Sequence, residues 1–211
     1  MRTTSNQKYE ITEISHEKYP FLHRIRALRD VSAEVKAGDL GGFVESESNL
    51  SFEPDDTAWI FDDAIACNDA YVDKVAVLRG EAVVCDNAYI SMGTVLSGHA
   101  RAEDNAYIRG AVLSASARAS GFSMILNDKD TMGVPILSGH CAVYGKVSGD
   151  VRLTGSALVI SGEEIRNDTL DTLVISGKNR SVIRDSSRDE LAPQQPVPSP
   201  PKKQKGCEIS R

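Results

Sequence analysis

The sequence predicts an all-β fold, a three-sided parallel β-helix built from six-residue repeats. Within residues 57–125 a small residue recurs every six positions, and a second apolar residue follows each of them two places later. The small residues are Ala58, Ala64, Ala70, Ala76, Ala82, Ala88, Thr94, Ala100 and Ala106. An in–out–in alternation over three residues is typical of a very short strand. One short strand and one corner, repeated many times, indicate a hexapeptide β-helix.

A second, longer period supports the same fold. The segments NDAYV, DNAYI and DNAYI begin at residues 68, 86 and 104 and therefore recur every eighteen residues. Three hexads thus make one triangular coil, and each residue is expected to stack on the residue eighteen positions later, about 4.8 Å away. The two residues before each small position are rich in Asp, Asn and Gly, which tolerate the backbone conformation of a tight corner.

The composition fits one elongated domain. Of the 211 residues, 41% are hydrophobic but only 6% are aromatic, which suits a thin core made of small side chains. No apolar run is long enough for a membrane span, and the first ten residues, MRTTSNQKYE, lack the apolar centre of a secretory signal. Cys67 and Cys85 are eighteen residues apart and should stack with parallel side chains. We therefore expect reduced thiols in a cytoplasmic protein.

In chain order the sequence divides into three parts. Residues 1–50 lack the hexad, and we expect an irregular arm with at most one strand over residues 1–20, followed at 21–50 by a cap over the open end of the solenoid. Residues 51–183 form the β-helix, interrupted by a loop at 126–134. Residues 184–211 contain five prolines and the basic segment KKQK, which predict a disordered tail.

The leader carries a family resemblance. Four segments precede the hexads in this order: RIRALRDV, VKAGDLGGFVE, ESNLS and DTAWIFDDA. This arrangement resembles the YdcK-type β-helix proteins, and similar leaders occur in bacteriophage and prophage open reading frames. The resemblance covers about residues 22–110 and implies a single-stranded left-handed parallel β-helix of phage or prophage origin. The protein would then work in the host-cell cytoplasm. The resemblance implies no catalytic residues, because the family's transferase label rests on the fold alone.

Assigning the hexads to three sides exposes an apolar column. On the first side every outward residue is apolar: Trp59, Val77, Val95, Val112 and Ile136. A contiguous apolar outer face is typical of a surface that is buried against something. Either residues 21–50 fold back over it, or a neighbouring subunit covers it, as in the trimers typical of this fold.

The other two sides carry candidate binding residues. The second side presents Ile65, Val83, Arg101, Arg118 and Ala142. Its two arginines are a candidate site for a phosphate or nucleotide, although a pair of surface arginines is more often only solvated. The third side presents Tyr71, Tyr89 and Tyr107, followed by Met124. These tyrosines either pack across neighbouring strands, the interpretation that we favour, or form an aromatic recognition surface.

One corner of the coil collects residues with acid–base chemistry. On successive levels it stacks Asp63, Glu81, His99, Ser116 and His140. In outline this resembles hexapeptide-fold acyltransferases, in which a corner or loop histidine is the general base. His99 or His140 would have that role here, and Glu81 would orient His99. Corners also recruit these residue types because they suit turns, and stacked levels hold side chains in parallel, so catalysis is the minor alternative.

The sequence therefore predicts a non-catalytic binding or scaffold module that assembles as a homo-oligomer, with a trimer favoured and a host factor as a candidate protein partner. One alternative is an acyltransferase that uses His99 or His140. The other is a sponge that holds a small phosphorylated ligand in clefts between subunits. We expect no metal and no cofactor, because the histidines and cysteines lack zinc spacing. The few lysines of the tail do not predict stable binding to a membrane or to nucleic acid.

Overall fold

The protein is a three-sided parallel β-solenoid of about seven turns, as the sequence predicts. The computed structural model describes residues 6–184. The arm and the cap comprise β1 (Tyr9–Ser15), β2 (His23–Ala27), β3 (Leu40–Val44) and a 3-10 turn (Glu47–Asn49). The strands that follow form the coils, except the last one, which pairs antiparallel with the strand before it.

The coil strands are mostly two to four residues long. The first coils contain β4 (Trp59–Ile60), β5 (Ile65–Ala66), β6 (Tyr71–Val72), β7 (Val77–Leu78), β8 (Val83–Val84), β9 (Tyr89–Ser91), β10 (Val95–Leu96), β11 (Arg101–Ala102) and β12 (Tyr107–Arg109). The middle coils contain β13 (Val112–Leu113), β14 (Arg118–Ala119), β15 (Met124–Leu126), β16 (Ile136–Leu137), β17 (Ala142–Val143) and β18 (Lys146–Gly149). The last strands are β19 (Val151–Thr154), β20 (Leu158–Val159), β21 (Glu164–Asn167), β22 (Thr172–Ser176) and β23 (Asn179–Ile183).

These strands form three sheets, one for each side of the solenoid. The arginine sheet has the order β1-β2-β3-β5-β8-β11-β14-β17-β20. The valine sheet has the order β4-β7-β10-β13-β16-β19-β22-β23. The tyrosine sheet has the order β6-β9-β12-β15-β18-β21. Apart from the arm at one end and the β22–β23 hairpin at the other, all the pairings are parallel.

The register follows the eighteen-residue period and then departs from it. Trp59 pairs with Val77 and Val77 with Val95, eighteen residues apart each time. The next coil is one residue shorter, because Val95 pairs with Val112 after a corner in which Gly110 has a φ of +59°. Val112 then pairs with Ile136, so the predicted loop at 126–134 is inserted between stacked coils without breaking their register.

The core consists of the small and apolar repeat residues. The small residue at the start of each hexad from Ala58 to Ala106 is buried, and so are the apolar residues that follow. At the corners, Asp62, Asp86 and Asp104 adopt positive φ values of 53°, 59° and 59°. Their carboxylates accept hydrogen bonds from backbone amides of the next coil, for example Asp62 Oδ2 from Gly80 N at 2.9 Å. The corner residues therefore both permit the turn and join successive coils.

The arm contains a single strand within residues 6–20 and joins the sheet of the first coil. This strand, β1, pairs antiparallel with β2, and β2 pairs antiparallel with β3. The arm therefore extends the arginine sheet beyond the first coil. These pairings join residues such as Tyr9 with Ala27 and Arg24 with Phe43. No short period in the sequence reveals such antiparallel partners, because they carry no six-residue repeat.

The cap closes the first coil with buried polar side chains. Lys8 is fully buried, and its Nζ donates a hydrogen bond to Ser51 O at 2.7 Å. The hydroxyl of Tyr9 donates to Leu50 O at 2.9 Å. Burial lowers the pKa of Lys8 to about 8, although Asp56 opposes the shift. The backbone groups at the start of the solenoid are thus satisfied by the leader rather than by another coil.

The leader segment that carries the family resemblance has a structural explanation. A Cβ atom at Gly41 would lie 2.6 Å from Cγ1 of Ile25, and a Cβ atom at Gly42 would lie 2.4 Å from Ala64 O. Only glycine allows β3 to approach the first coil this closely. The buried Asn49 side chain connects the 3-10 turn to the coil below. The segment is therefore explained by packing in the cap.

At the other end of the chain, the predicted tail at 184–211 lies outside the described residues, apart from Arg184. Between residues 6 and 184, no helix is long and apolar enough to cross a membrane.

Candidate functional site

An open concave surface lies between the arm and the outer face of the arginine sheet. The loop that joins β1 and β2, residues 16–22, projects over this face and leaves an open groove of about 670 Å³. We call this the arm groove. From the arm it is lined by Ile14, Ser15, His16, Glu17, Lys18 and Tyr19. From β2, the sheet and the corner it is lined by Arg24, Phe43, Asp63, Ile65, Glu81, Val83, His99 and Arg101.

Aromatic and ionic contacts hold the arm over the sheet. The ring of His16 packs edge-on against Phe43, with the ring centroids 4.8 Å apart. The guanidinium of Arg24 lies 4.3 Å from the centroid of the same Phe43 ring, and its Nη2 contacts Asp63 Oδ1 at 2.6 Å. Arg24 also donates from Nη1 to the carbonyls of Gly41 and Asp62. The sequence gives no signal for this arrangement, because it depends on the folding of the arm.

The tip of the arm has hydrogen bonds of its own. Nδ1 of His16 accepts from the backbone amides of Lys18 and Tyr19 at 3.1 and 3.3 Å. The backbone amide of His16 donates to Leu22 O, and Leu22 N donates to Tyr19 O, both at 2.9 Å. Leu22 is buried and packs in a small cluster with Phe43 and Ile65. The loop is therefore anchored at both ends of its turn and keeps Tyr19 beside the groove.

The predicted corner column is present, and part of it lies in the groove. Backbone hydrogen bonds stack Asp63, Glu81, His99, Ser116 and His140 on successive levels. Nδ1 of His99 lies 3.3 Å from Glu81 Oε2, so the predicted pair is in contact. Both side chains are well exposed, at 66% for His99 and 71% for Glu81. His140 does not line the groove, and the level of Ser116 separates it from His99.

The two predicted binding arginines have different surroundings. Arg101 and Arg118 are register neighbours on β11 and β14, and both are exposed. Nε of Arg118 forms a close ion pair with Glu103, and Arg118 does not line the groove. Arg101 lines the groove, and its guanidinium has neither a hydrogen bond nor an ion pair with any residue between 6 and 184. Among the described residues, the arginine ladder thus contains one cation in an ion pair, Arg118, and one cation without such a partner, Arg101.

Two cysteine thiols lie at the end of arginine-sheet strands, on the side of the sheet that is farther from the corner histidines. Cys67 and Cys85 are free and half-buried. A hydrogen bond from Cys85 lowers the pKa of Cys67, and the same contact together with burial raises the pKa of Cys85. Cys141 is buried inside the solenoid, which raises its pKa to about 11. The stacking of Cys67 and Cys85 is the arrangement that their eighteen-residue spacing predicts.

The apolar column of the valine sheet is covered at one end. Trp59 is 1% exposed, and it lines a shallow groove of about 200 Å³ together with residues 32–34 of the leader. The other four residues, Val77, Val95, Val112 and Ile136, are half-buried. The leader therefore covers the start of the column, and the assembly predicted for the rest of it stays a prediction.

The three predicted tyrosines stack on one another along the tyrosine sheet. The ring centroids of Tyr71 and Tyr89 are 5.9 Å apart, with an interplanar angle of 18°, and those of Tyr89 and Tyr107 are 5.4 Å apart. The hydroxyl of Tyr89 donates to Asp73 Oδ2 at 2.8 Å. Burial is the main reason that the pKa of Tyr89 is raised. These contacts agree with packing between strands, and recognition by the tyrosines stays a prediction.

Within the described part of the chain, no group of three or more histidine, cysteine or acidic side chains could hold a metal ion. No family model matches the chain, and neither a curated protein nor a solved structure is similar enough to count as a match.

Proposed function

We propose that the protein is a binding module without a catalytic role and that its binding site is the arm groove. The observation that carries the proposal is the position of the arm loop, which projects over the arginine sheet and leaves a groove of about 670 Å³. Pockets that bind small molecules typically measure about 300–1,000 Å³. Lys8 and Tyr9 satisfy polar groups of the cap without any contribution from loop 16–22. Loop 16–22 is therefore not needed for these hydrogen bonds of the cap and is available for another role.

The proposal includes assembly into a homo-oligomer, with a trimer as the favoured state. Its support is the contiguous apolar column of the valine sheet, in which the leader covers the start at Trp59 while Val95, Val112 and Ile136 remain partly exposed. A partly exposed column of valine and isoleucine on a soluble solenoid is typical of an interface. We propose in addition that the protein is related to the YdcK-type proteins, that it is of phage or prophage origin, and that a host protein is its partner.

A ligand screen tests the binding role. The wild-type protein is screened by thermal shift against nucleotides, sugar phosphates, organic acids and acyl-CoA compounds, and we expect at least one class to raise the melting temperature. Val83→Trp fills the groove from its floor and should abolish that shift. Arg118→Trp places the same bulk on the same sheet outside the groove and should leave it unchanged. A stabilising compound that is indifferent to Val83→Trp would contradict the proposal, as would a screen in which nothing binds.

Acyl transfer is the second candidate function, because the His99–Glu81 pair lies inside the groove. Nε2 of His99 would accept a proton from an acceptor hydroxyl or amine, and Glu81 would stabilise the resulting imidazolium. The exposure of both side chains argues against it, since water would compete for their polar atoms. The test is an assay of acyl-CoA donors with amine and hydroxyl acceptors. Turnover that His99→Ala abolishes and His140→Ala preserves would replace the binding proposal with this one.

A further inference from the structure

We infer that the arm groove takes a small molecule with one oxyanion group, a phosphate or a carboxylate, attached to an aromatic or apolar body, and that Arg101 binds the oxyanion. This inference rests on the proposed binding role of the groove and names the class of ligand.

The first step is the charge at the groove. Two other polar side chains of the groove already have a partner: Arg24 contacts Asp63, and His99 contacts Glu81. Arg101 lacks such a partner among the described residues, although a guanidinium carries five N–H donors. Carboxylate and phosphate groups match this donor fork with two parallel hydrogen bonds. An oxyanion is therefore the chemical group that Arg101 is best suited to bind.

The second step is that, among the described residues, no carboxylate pairs with Arg101. Its register neighbours are Val83 on one side and Arg118 on the other. Glu103, the acid two residues after Arg101, is held in the ion pair with Arg118. Of the two stacked arginines, Arg118 outside the groove pairs with the carboxylate of Glu103. Arg101 inside the groove therefore remains available to a ligand.

The third step is the apolar surface next to Arg101. On the sheet side, half-buried Val83 directly precedes Arg101 in the same column, and Ile65 one level earlier is buried against Leu22 and Phe43. On the arm side, Tyr19 and Ile14 line the groove and remain 47% and 44% exposed. An aromatic or aliphatic body placed between these two sides would cover apolar surface of both. A ligand with an anionic end and an apolar body therefore fits the groove better than a bare anion does.

The fourth step is the remaining ionisable groups of the groove. Lys18 and Glu17 are adjacent on the exposed arm, and His16 uses Nδ1 to accept from the backbone of its own loop. The three cations of the groove, Lys18, Arg24 and Arg101, are matched in number by Glu17, Asp63 and Glu81, and Arg101 is the one that lacks an ion-pair partner among the described residues. One oxyanion group would pair with Arg101, whereas a polyanion would bring further negative charge close to Asp63 and Glu81.

The test is titration calorimetry at low ionic strength with four probes: phenyl phosphate, benzoate, phenol and inorganic phosphate. We expect phenyl phosphate or benzoate to bind the wild-type protein at least about tenfold more tightly than phenol or inorganic phosphate does. Comparison of the first two probes shows whether phosphate or carboxylate is preferred. Arg101→Gln should lower the affinity for the anionic aromatic probe at least about tenfold. Arg118→Gln, one rung away on the same column, should change its affinity less than about twofold.

Arg101→Gln should keep the wild-type melting temperature, because the guanidinium has no partner among the described residues to lose. An equal affinity for phenol and phenyl phosphate would overturn the inference, as would equal effects of Arg101→Gln and Arg118→Gln or no binding of any probe. Failure of the inference is distinguishable from failure of the proposed function. A compound from the thermal-shift screen that is lost in Val83→Trp but kept in Arg101→Gln would refute the oxyanion anchor and leave the binding module standing.

Discussion

Asn49 offers the most direct test of how the leader and the solenoid are joined. Its side chain is fully buried and makes four hydrogen bonds with backbone groups. Oδ1 accepts from the amides of Glu45 and Ser46, at 3.1 and 2.9 Å. Nδ2 donates to the carbonyls of Asn68 and Ala70, at 2.8 and 3.0 Å. One side chain thus connects the turn of the cap to the corner and the strand of the next coil.

We expect Asn49→Leu to lower the free energy of unfolding by about 3 kcal/mol. The amide of Glu45 keeps a second acceptor, Ala66 O, so three of the four backbone groups lose a partner. A hydrogen bond of this kind contributes about 1 kcal/mol net, and a buried group left without a partner costs about 1–3 kcal/mol. The measurement is urea denaturation followed by circular dichroism. The midpoint should fall while the slope with denaturant stays constant.

Two variants sharpen this test. Asn105→Leu is the matched control, because Asn105 at an exposed corner accepts only one side-chain hydrogen bond, from Asn87 at 3.3 Å. It should change the free energy of unfolding by less than about 0.5 kcal/mol. Asn49→Asp keeps both acceptor bonds but loses both donors, and it should destabilise at least as much as Asn49→Leu. If Asn49→Leu and Asn105→Leu were equally stable, the assignment of Asn49 as the connection between cap and coil would be wrong.

The remaining predictions concern assembly and pH. Val95→Asp puts a charge in the middle of the apolar column and should give a smaller species by light scattering, while Arg152→Asp, in the same sheet but already exposed and polar, should not. An unchanged mass in both variants would refute assembly through this face. Because burial lowers the pKa of Lys8 from 10.5 to about 8, the folded state binds fewer protons between these values, and stability should rise with pH there. Lys8→Met should remove this rise, which amounts to about 2 kcal/mol between pH 7.5 and pH 10 at 1.36 kcal/mol per pKa unit, as measured by urea denaturation at these two pH values.

The parts of the structure that the sequence predicts are those set by the repeat. The spacing of six assigns Ala58 and Ile60 to the interior, and both are fully buried. The spacing of eighteen predicts the contact of His99 with Glu81, because stacked corners bring residues of neighbouring coils together. These predictions succeed because the coil geometry repeats, so that sequence separation alone determines which residues are neighbours.

The residues on the arm side of the groove could not be predicted from the repeat. His16 and Arg24 reach Phe43 only because β1 and β2 fold back as an antiparallel extension of the sheet and the loop between them then projects over it. Neither step follows from a period, since each depends on non-local pairing and on side-chain packing. The difference between Arg101 and Arg118 is hidden in the sequence for the same reason. Their positions in the repeat are equivalent, and only the arm and Glu103 distinguish them.

The geometry of a solenoid explains why the arm is where function is most reasonably sought. Parallel coils stack equivalent residues in columns, so the tyrosines and the arginines point outward side by side rather than toward a common centre. A ligand that needs contacts from several directions cannot obtain them from one face of such a column. The arm brings side chains from a second direction, since Tyr19 and Ile14 lie across the groove from Val83 and Arg101. Binding specificity in this protein should therefore depend on loop 16–22, while the repeated coils supply a rigid surface against which that loop works.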